Sequence, residues 1–217
     1  MAAPPRPRPG TAVAVGLSVG LAAVLVLHHL GTKPLWLDEA VSVSVAGRPL
    51  PRLLAVLAHH DANAGLYYLL LHAWMRLGHG TAWDRGPSAL CFAGTAGVAA
   101  WVGTRWRGPA AGAAWGLLIA TNPFLLFYGQ EARPYALAVL LAVASTAALL
   151  WRDGEPAPAA YVAATAALLY ADLFALLFVV AQVGAVVAAS PRRRPLPALV
   201  RCWGCLLYTS DAADDLT

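Results

Sequence analysis

Long apolar runs broken by short polar stretches set the pattern of this chain. Residues 11–30, 87–104, 110–127 and 134–150 are each almost wholly apolar. A helix needs about 20 such residues to cross a hydrocarbon core about 30 Å thick, so each run predicts a membrane-crossing helix. A fifth run, 157–189, is too long for one ordinary span and carries Asp172 near its middle. A carboxylate at the bilayer centre is costly. The fifth run therefore predicts two short helices that meet at Asp172 near the outer surface, bringing the expected crossings to six.

The segment between the first two runs, residues 31–86, is too apolar to float in solvent. LPRLLAVL (50–57) and LYYLLLHAWMRL (66–77) place apolar residues at helical spacing, yet each is shorter than a span. They predict helices lying in the outer interface, with Tyr67, Tyr68 and Trp74 at headgroup depth and His72 as a further anchor. The expected fold is thus an all-α membrane protein, a polytopic helical bundle with amphipathic interfacial helices in its first external loop. Residues 1–10 are expected to form a cytoplasmic tail and 11–205 the transmembrane domain. The final stretch LLYTSDAADDLT (206–217) turns abruptly polar and acidic. It resembles translated sequencing-adapter read-through, so we expect it to be foreign and the chain to be the N-terminal part of a longer protein. The first run has a basic approach like a signal peptide. No small-x-small cleavage site precedes HHLGTKP, however, and further spans follow, which favours a retained anchor.

Composition agrees with a bilayer protein. Hydrophobic residues make up 59% of the 217 and charged residues 12%, against about 45–50% and about 25% in soluble domains. The net charge of +4 comes without a basic stripe interleaved with aromatics, so no nucleic-acid partner is expected. The arginines report topology instead. Arg6 and Arg8 precede the first run, Arg105 and Arg107 separate the second from the third, Arg152 follows the fourth, and Arg192–Arg194 follow the last. Six crossings put all of them on one face, which the positive-inside rule makes cytoplasmic. Asp38, Glu39, Asp61, Glu131 and Asp172 then share the opposite face. Cys91, Cys202 and Cys205 lack the second ligand pair that a zinc site needs and are read as incidental.

Three outer segments carry unusual polarity: LWLDEAVS (35–42), HHDANAGLYYLLLHAW (59–74) and NPFLLFYGQEARPYAL (122–137). Ionisable residues beside spans are rare and generally face a cavity or partner. Their convergence at one membrane level has the composition of an active site working at the bilayer surface. In this order, together with RGPSAL (85–90), these segments resemble the N-terminal half of the GT-C superfamily. Within it they are most similar to bacterial polyprenol-dependent glycosyltransferases related to protein O-mannosyltransferases and aminoarabinose transferases. The likeness runs from about residue 11 to 194.

The resemblance implies transfer of a sugar, mannose being one candidate, from a polyprenyl phosphate to a protein, lipid or glycan acceptor on the extracytoplasmic face of the cell membrane. It makes Asp38 the general base that takes the proton of the attacking hydroxyl. It makes Glu39 its support, by hydrogen bonding or by sharing a divalent cation (Mg or Mn), the only cofactor considered. Arg133 would grip the leaving phosphate, and Pro134 would hold it outside helical geometry. Glu131 would orient Arg133 or bind sugar hydroxyls. Gln130 and Tyr135 of the same QEARPY motif join the expected substrate-binding set. Lys33 and Arg85 are further phosphate candidates. Asn63 would supply polar contacts where relatives carry a Pro-Pro element and this chain has Ala62-Asn63-Ala64-Gly65. No metal ligands are assigned.

Blander readings stand beside these. Asp38 could cap a helix starting at Glu39, Glu131 and Arg133 could form a structural ion pair, and His59, His60 and Asp61 read as solvated loop residues rather than metal ligands. A transporter or lipid flippase is the alternative function, although it should carry polar groups near the bilayer midplane. An inactive assembly subunit is a third.

Overall fold

The computed structural model describes residues 10–59, 62–150 and 157–189. Helices account for 81% of them, and no strand occurs among them. The expected arginine clusters at 6, 8, 152 and 192–194, the His60–Asp61 pair, Cys202, Cys205 and the 206–217 tail lie outside the described residues.

Every described apolar run is helical. They are α1 (Thr11–Leu27), α6 (Gly86–Arg107), α7 (Pro109–Ala120), α8 (Pro123–Gly129), α9 (Tyr135–Leu149), α10 (Pro158–Ala171) and α11 (Ala175–Ala189). The 31–86 segment supplies α2 (Leu37–Ala46), α3 (Leu50–His59), α4 (Gly65–Met75) and the short α5 (Thr81–Asp84). The long last run divides as expected. Asp172 ends α10 in extended conformation, and its Oδ1 accepts the Phe174 N–H (2.9 Å) at the turn into α11.

Two expectations need correction. The run 110–127 is not one helix: α7 and α8 meet at a 62° bend. Pro123 has no N–H to continue the α7 ladder, while Asn122 Oδ1 caps the new helix through the Phe124 and Leu125 amides (3.0 and 3.1 Å). Tyr67 and Tyr68 are not headgroup anchors but lie buried in the core, at 0% and 5% exposure. The Tyr67 hydroxyl can be buried because it shares a hydrogen bond with Ser88 Oγ (3.1 Å). Trp74 stacks on Trp83 at 4.8 Å, and each indole N–H donates to the other's backbone carbonyl. His72 Nδ1 donates to the Ala46 carbonyl (2.8 Å), tying α4 to the end of α2.

Helix α6 is the centre of the bundle, packed by α1 and α7 on one side and by α9 on another, with α10 against α9. Small residues permit this closeness. The buried positions of α1 are Thr11, Ala14, Ser18, Ala22 and Val26, spaced by three and four, while Val13, Leu17, Val24 and Leu27 are exposed. Gly112 of α7 faces the Ala100 carbonyl and Thr104 of α6, where a Cβ would overlap backbone. Gly116, one turn on, faces Ser18 of α1 and Ala100 of α6. No single described helix is long and apolar enough to cross a membrane. Two bent pairs, α2 with α3 and α7 with α8, are so by length and composition.

The chain reversals set the ends of the bundle. Gly10, just before α1, touches Pro109 at the start of α7, so Arg105 and Arg107 at the end of α6 lie at that end. The C-terminal end of α1, the start of α6 and the 130–134 turn form the opposite end, where the carboxylates gather.

Candidate functional site

The site is built on Glu39. Helix α2 starts at Leu37 with Trp36 as its N-cap, so Asp38 is not the cap but lies in the first turn. Glu39 Oε2 reaches back to accept the Trp36 N–H (3.3 Å), the side-chain half of a capping box. The same carboxylate takes a two-pronged grip from Arg85, Nε to Oε1 at 2.8 Å and Nη2 to Oε2 at 2.7 Å. The Ala132 amide completes the set, donating to Oε1 at 2.9 Å. One fully buried carboxylate thus joins α2, the start of α6 and the 130–134 turn. Burial alone would raise its pKa. The Arg85 hydrogen bonds and charge and the two amides more than offset that and hold Glu39 below the usual 4.5.

Arg85 is equally committed. Beyond Glu39, its Nη1 donates to the Leu30 and Lys33 carbonyls (2.7 and 3.1 Å), and Nη2 donates to the Pro34 carbonyl (3.3 Å). All five guanidinium N–H groups are engaged by acceptors of the chain itself. Arg85 is the post around which the 30–34 segment folds. Glu39 likewise bonds Arg85 and two amides rather than Asp38. Among the described residues no cluster of His, Cys, Asp or Glu is placed to hold a metal ion.

The QEARPY turn divides its labour residue by residue. Gln130 Nε2 donates to the Val26 and His28 carbonyls (3.1 and 2.9 Å) and closes the C-terminus of α1. Glu131 is buried at 7% exposure, and its Oε2 has no hydrogen-bond partner among the described residues. Burial, then the nearby negative charge of Glu39, raise its pKa above the usual carboxylate range. Ala132 serves Glu39. Arg133 reaches the opposite way: its Nη2 donates to the Tyr135 hydroxyl (2.8 Å), and its guanidinium carbon stands 5.1 Å from the Tyr135 ring centre.

Arg133 Nη2 also lies 3.6 Å from Asp38 Oδ2, with the two side chains 22% and 49% exposed. This loose, accessible pair contrasts with the sealed Glu39–Arg85 pair beside it. The turn is held from beneath, because the Arg133 carbonyl accepts Ser88 Oγ (3.2 Å), which is also bonded to Tyr67. Tyr135 continues into an apolar groove of about 290 Å³ lined by Phe92, Phe124, Tyr128, Val139 and Asp172. Asn63 stands apart from this cluster: its Oδ1 accepts the Leu173 N–H (2.8 Å) and pins the α10–α11 turn.

The structure therefore gathers Asp38, Glu39, Arg85, Glu131, Arg133 and Tyr135, and separates Asn63. Sequence reasoning missed two contributors, Tyr67 and Ser88. Asp84 is buried beside Arg85, with Oδ1 unpartnered among the described residues. RGPSAL pointed to the region of Ser88, but a serine at a helix start gives no hint of its partners. Chemically, the gathered residues offer one accessible base, one accessible guanidinium and a rigid charged platform behind them. Comparison with protein-family models, curated proteins and solved structures returns no match.

Proposed function

We propose that this chain forms the donor-side part of a membrane glycosyltransferase that takes a sugar from a polyprenyl phosphate at the extracytoplasmic surface. The observation that carries the reading is the Asp38–Arg133 pair, a half-exposed carboxylate 3.6 Å from a partly exposed guanidinium on two segments distant in sequence. In the reaction, an acceptor hydroxyl attacks the anomeric carbon and its proton passes to Asp38. The bond from that carbon to the phosphate oxygen breaks, and the lipid phosphate leaves onto Arg133, whose N–H fork matches it. Attack opposite the leaving group inverts the anomeric centre. Glu39 and Arg85 act only by holding α2 and the 130–134 turn in register.

Membrane placement is supported by an apolar outer surface around a small-residue interior that also buries several hydroxyl and amide side chains. Ser18, Thr95, Thr104, Ser145, Thr165 and Gln182 are buried, whereas Leu118, Leu177, Val180 and Phe174 are among many large apolar side chains left exposed. In water such continuous apolar exposure is a liability. In lipid it costs nothing, and buried polar groups hold the helices together.

The test is transfer from radiolabelled polyprenyl-phosphate mannose by membranes of cells expressing the gene. Asp38→Asn should lower kcat roughly 10²–10⁴-fold, the span of general-base catalysis, while Arg133→Gln should lower kcat as well as kcat/KM for the donor, because the leaving phosphate gains charge as it departs. Undiminished transfer by Asp38→Asn would sink the assignment. One observation favours a transporter or lipid flippase instead: Gln182 Nε2 donates to Thr146 Oγ1 (3.0 Å), and Ser145 and Thr165 hydroxyls share a bond of 2.8 Å inside the α9–α11 cluster. Lipid scrambling in vesicles that is abolished by Gln182→Leu would decide for that reading.

A further inference from the structure

The same end of the bundle holds a second feature that the Asp38–Arg133 pair does not use. Between the end of α1, the 28–36 segment and the end of α8 lies a cavity of about 630 Å³. The Glu39–Arg85 pair forms part of its wall, but neither Asp38 nor Arg133 lines it. Glu131 lines it as a buried carboxyl, with one oxygen unpartnered among the described residues. His28, His29, Lys33 and Trp36 line it as exposed side chains. His29 adopts a left-handed backbone (φ 60°), and the two imidazole rings stand 4.0 Å apart. The cavity therefore has a carboxyl floor and a mouth of N–H donors with the Lys33 ammonium among them.

Local charge makes the floor unusual. Glu39 is neutralised by Arg85 and Asp38 faces Arg133, whereas Glu131 has no ion-pair partner among the described residues. A buried carboxylate without a donor is costly, and a ligand that donates to it relieves that cost. Lys33 and the paired imidazoles ask for the opposite: an anion at the mouth. A ligand that answers both leads with a cation that can donate hydrogen bonds and trails an anion.

We propose that this cavity binds an aminoethyl phosphate group, its primary ammonium on Glu131 and its phosphate against Lys33, His28 and His29. The group has two sources, the headgroup of a phosphatidylethanolamine and the free zwitterion O-phosphoethanolamine. The inference stands on the cavity and holds whether or not the chain transfers sugars. A trimethylammonium headgroup is also cationic but has no N–H to donate, so it separates hydrogen bonding from charge alone.

The experiment uses the full chain purified in detergent with an equal mixture of phosphatidylethanolamine, phosphatidylcholine and phosphatidylglycerol, and reads retained lipid by native mass spectrometry. Titration calorimetry with O-phosphoethanolamine and with ethanolamine runs beside it. The wild type should retain phosphatidylethanolamine over phosphatidylcholine by roughly tenfold or more, the value of one charge-assisted hydrogen bond. Glu131→Gln should erase that preference. Lys33→Met alters an exposed side chain and so keeps the fold. It should weaken O-phosphoethanolamine several-fold while leaving ethanolamine unchanged. Binding of the free zwitterion without lipid selectivity supports the site and identifies a soluble source. Equal retention of the ethanolamine and choline lipids with no heat from O-phosphoethanolamine overturns the proposal. So does a preference that survives Glu131→Gln. If that variant fails to fold, an unchanged O-phosphoethanolamine affinity in Lys33→Met overturns it instead.

Discussion

Replacing Arg85 with Ala removes the cation from a carboxylate that cannot reach water. Glu39 is fully buried, and its Arg85 partner is 7% exposed at the side chain. The variant loses both prongs on Glu39 and the three carbonyl contacts that shape residues 30–34, leaving Glu39 only the Trp36 and Ala132 amides. Breaking a buried pair by removing one partner costs about 3–5 kcal/mol, and we expect a loss in that range at pH 7. The pH dependence identifies the cause. In the wild type Glu39 has a depressed pKa, so its contribution is complete above the ordinary 4.5 and disappears as pH falls through the folded-state value. Without Arg85 only burial and two amides remain. The Glu39 pKa should then rise above 4.5 and the carboxyl should destabilise the fold once ionised. The gap between variant and wild type should therefore be widest near neutrality and narrow as the carboxyl protonates in acid. Equilibrium unfolding in mixed detergent micelles, followed by circular dichroism from pH 4 to pH 8, measures both quantities. A loss below about 1 kcal/mol at pH 7, the scale of an exposed pair, would refute the account. So would a gap independent of pH.

Three further outcomes follow from the same geometry. Glu131→Gln should stabilise the chain above pH 4.5, because a carboxyl with a raised folded-state pKa favours folding below its ordinary value and loses that advantage as it ionises; the same unfolding series shows the gain appearing as pH rises. Gly112→Val should cost about 3 kcal/mol or more by driving a side chain into the Ala100 carbonyl and the Thr104 amide of α6, whereas Gly184→Ala, with open space around it, should gain about 0.5–1 kcal/mol. Asn122→Ala should cost about 1 kcal/mol by freeing the Phe124 and Leu125 amides, and amide exchange at those two positions should rise before the rest of α8.

The sequence by itself determined where most of the helices lie, because apolar runs, Asp172 and the polar breaks act over one or two turns; the exception is 110–127, read as one helix and found as two. It also placed LWLDE and QEARPY on a common level, since both border apolar runs. The bend at Asn122–Pro123 was written there too, in a proline and a capping residue hidden inside a continuous apolar run. Only the tertiary structure decided which polar groups remain accessible. Asp38 and Glu39 are neighbours of the same charge, yet Glu39 turns inward to Arg85, 46 residues away, and Asp38 stays outside near Arg133. Gln130 and Glu131 are equally adjacent, yet one closes α1 across more than 100 residues and the other is left without a partner. The physical reason is that successive side chains point in different directions, along helix α2 for Asp38 and Glu39 and in the turn after α8 for Gln130 and Glu131, while the donors that satisfy a buried carboxylate come from whichever distant segment the bundle brings within 3 Å.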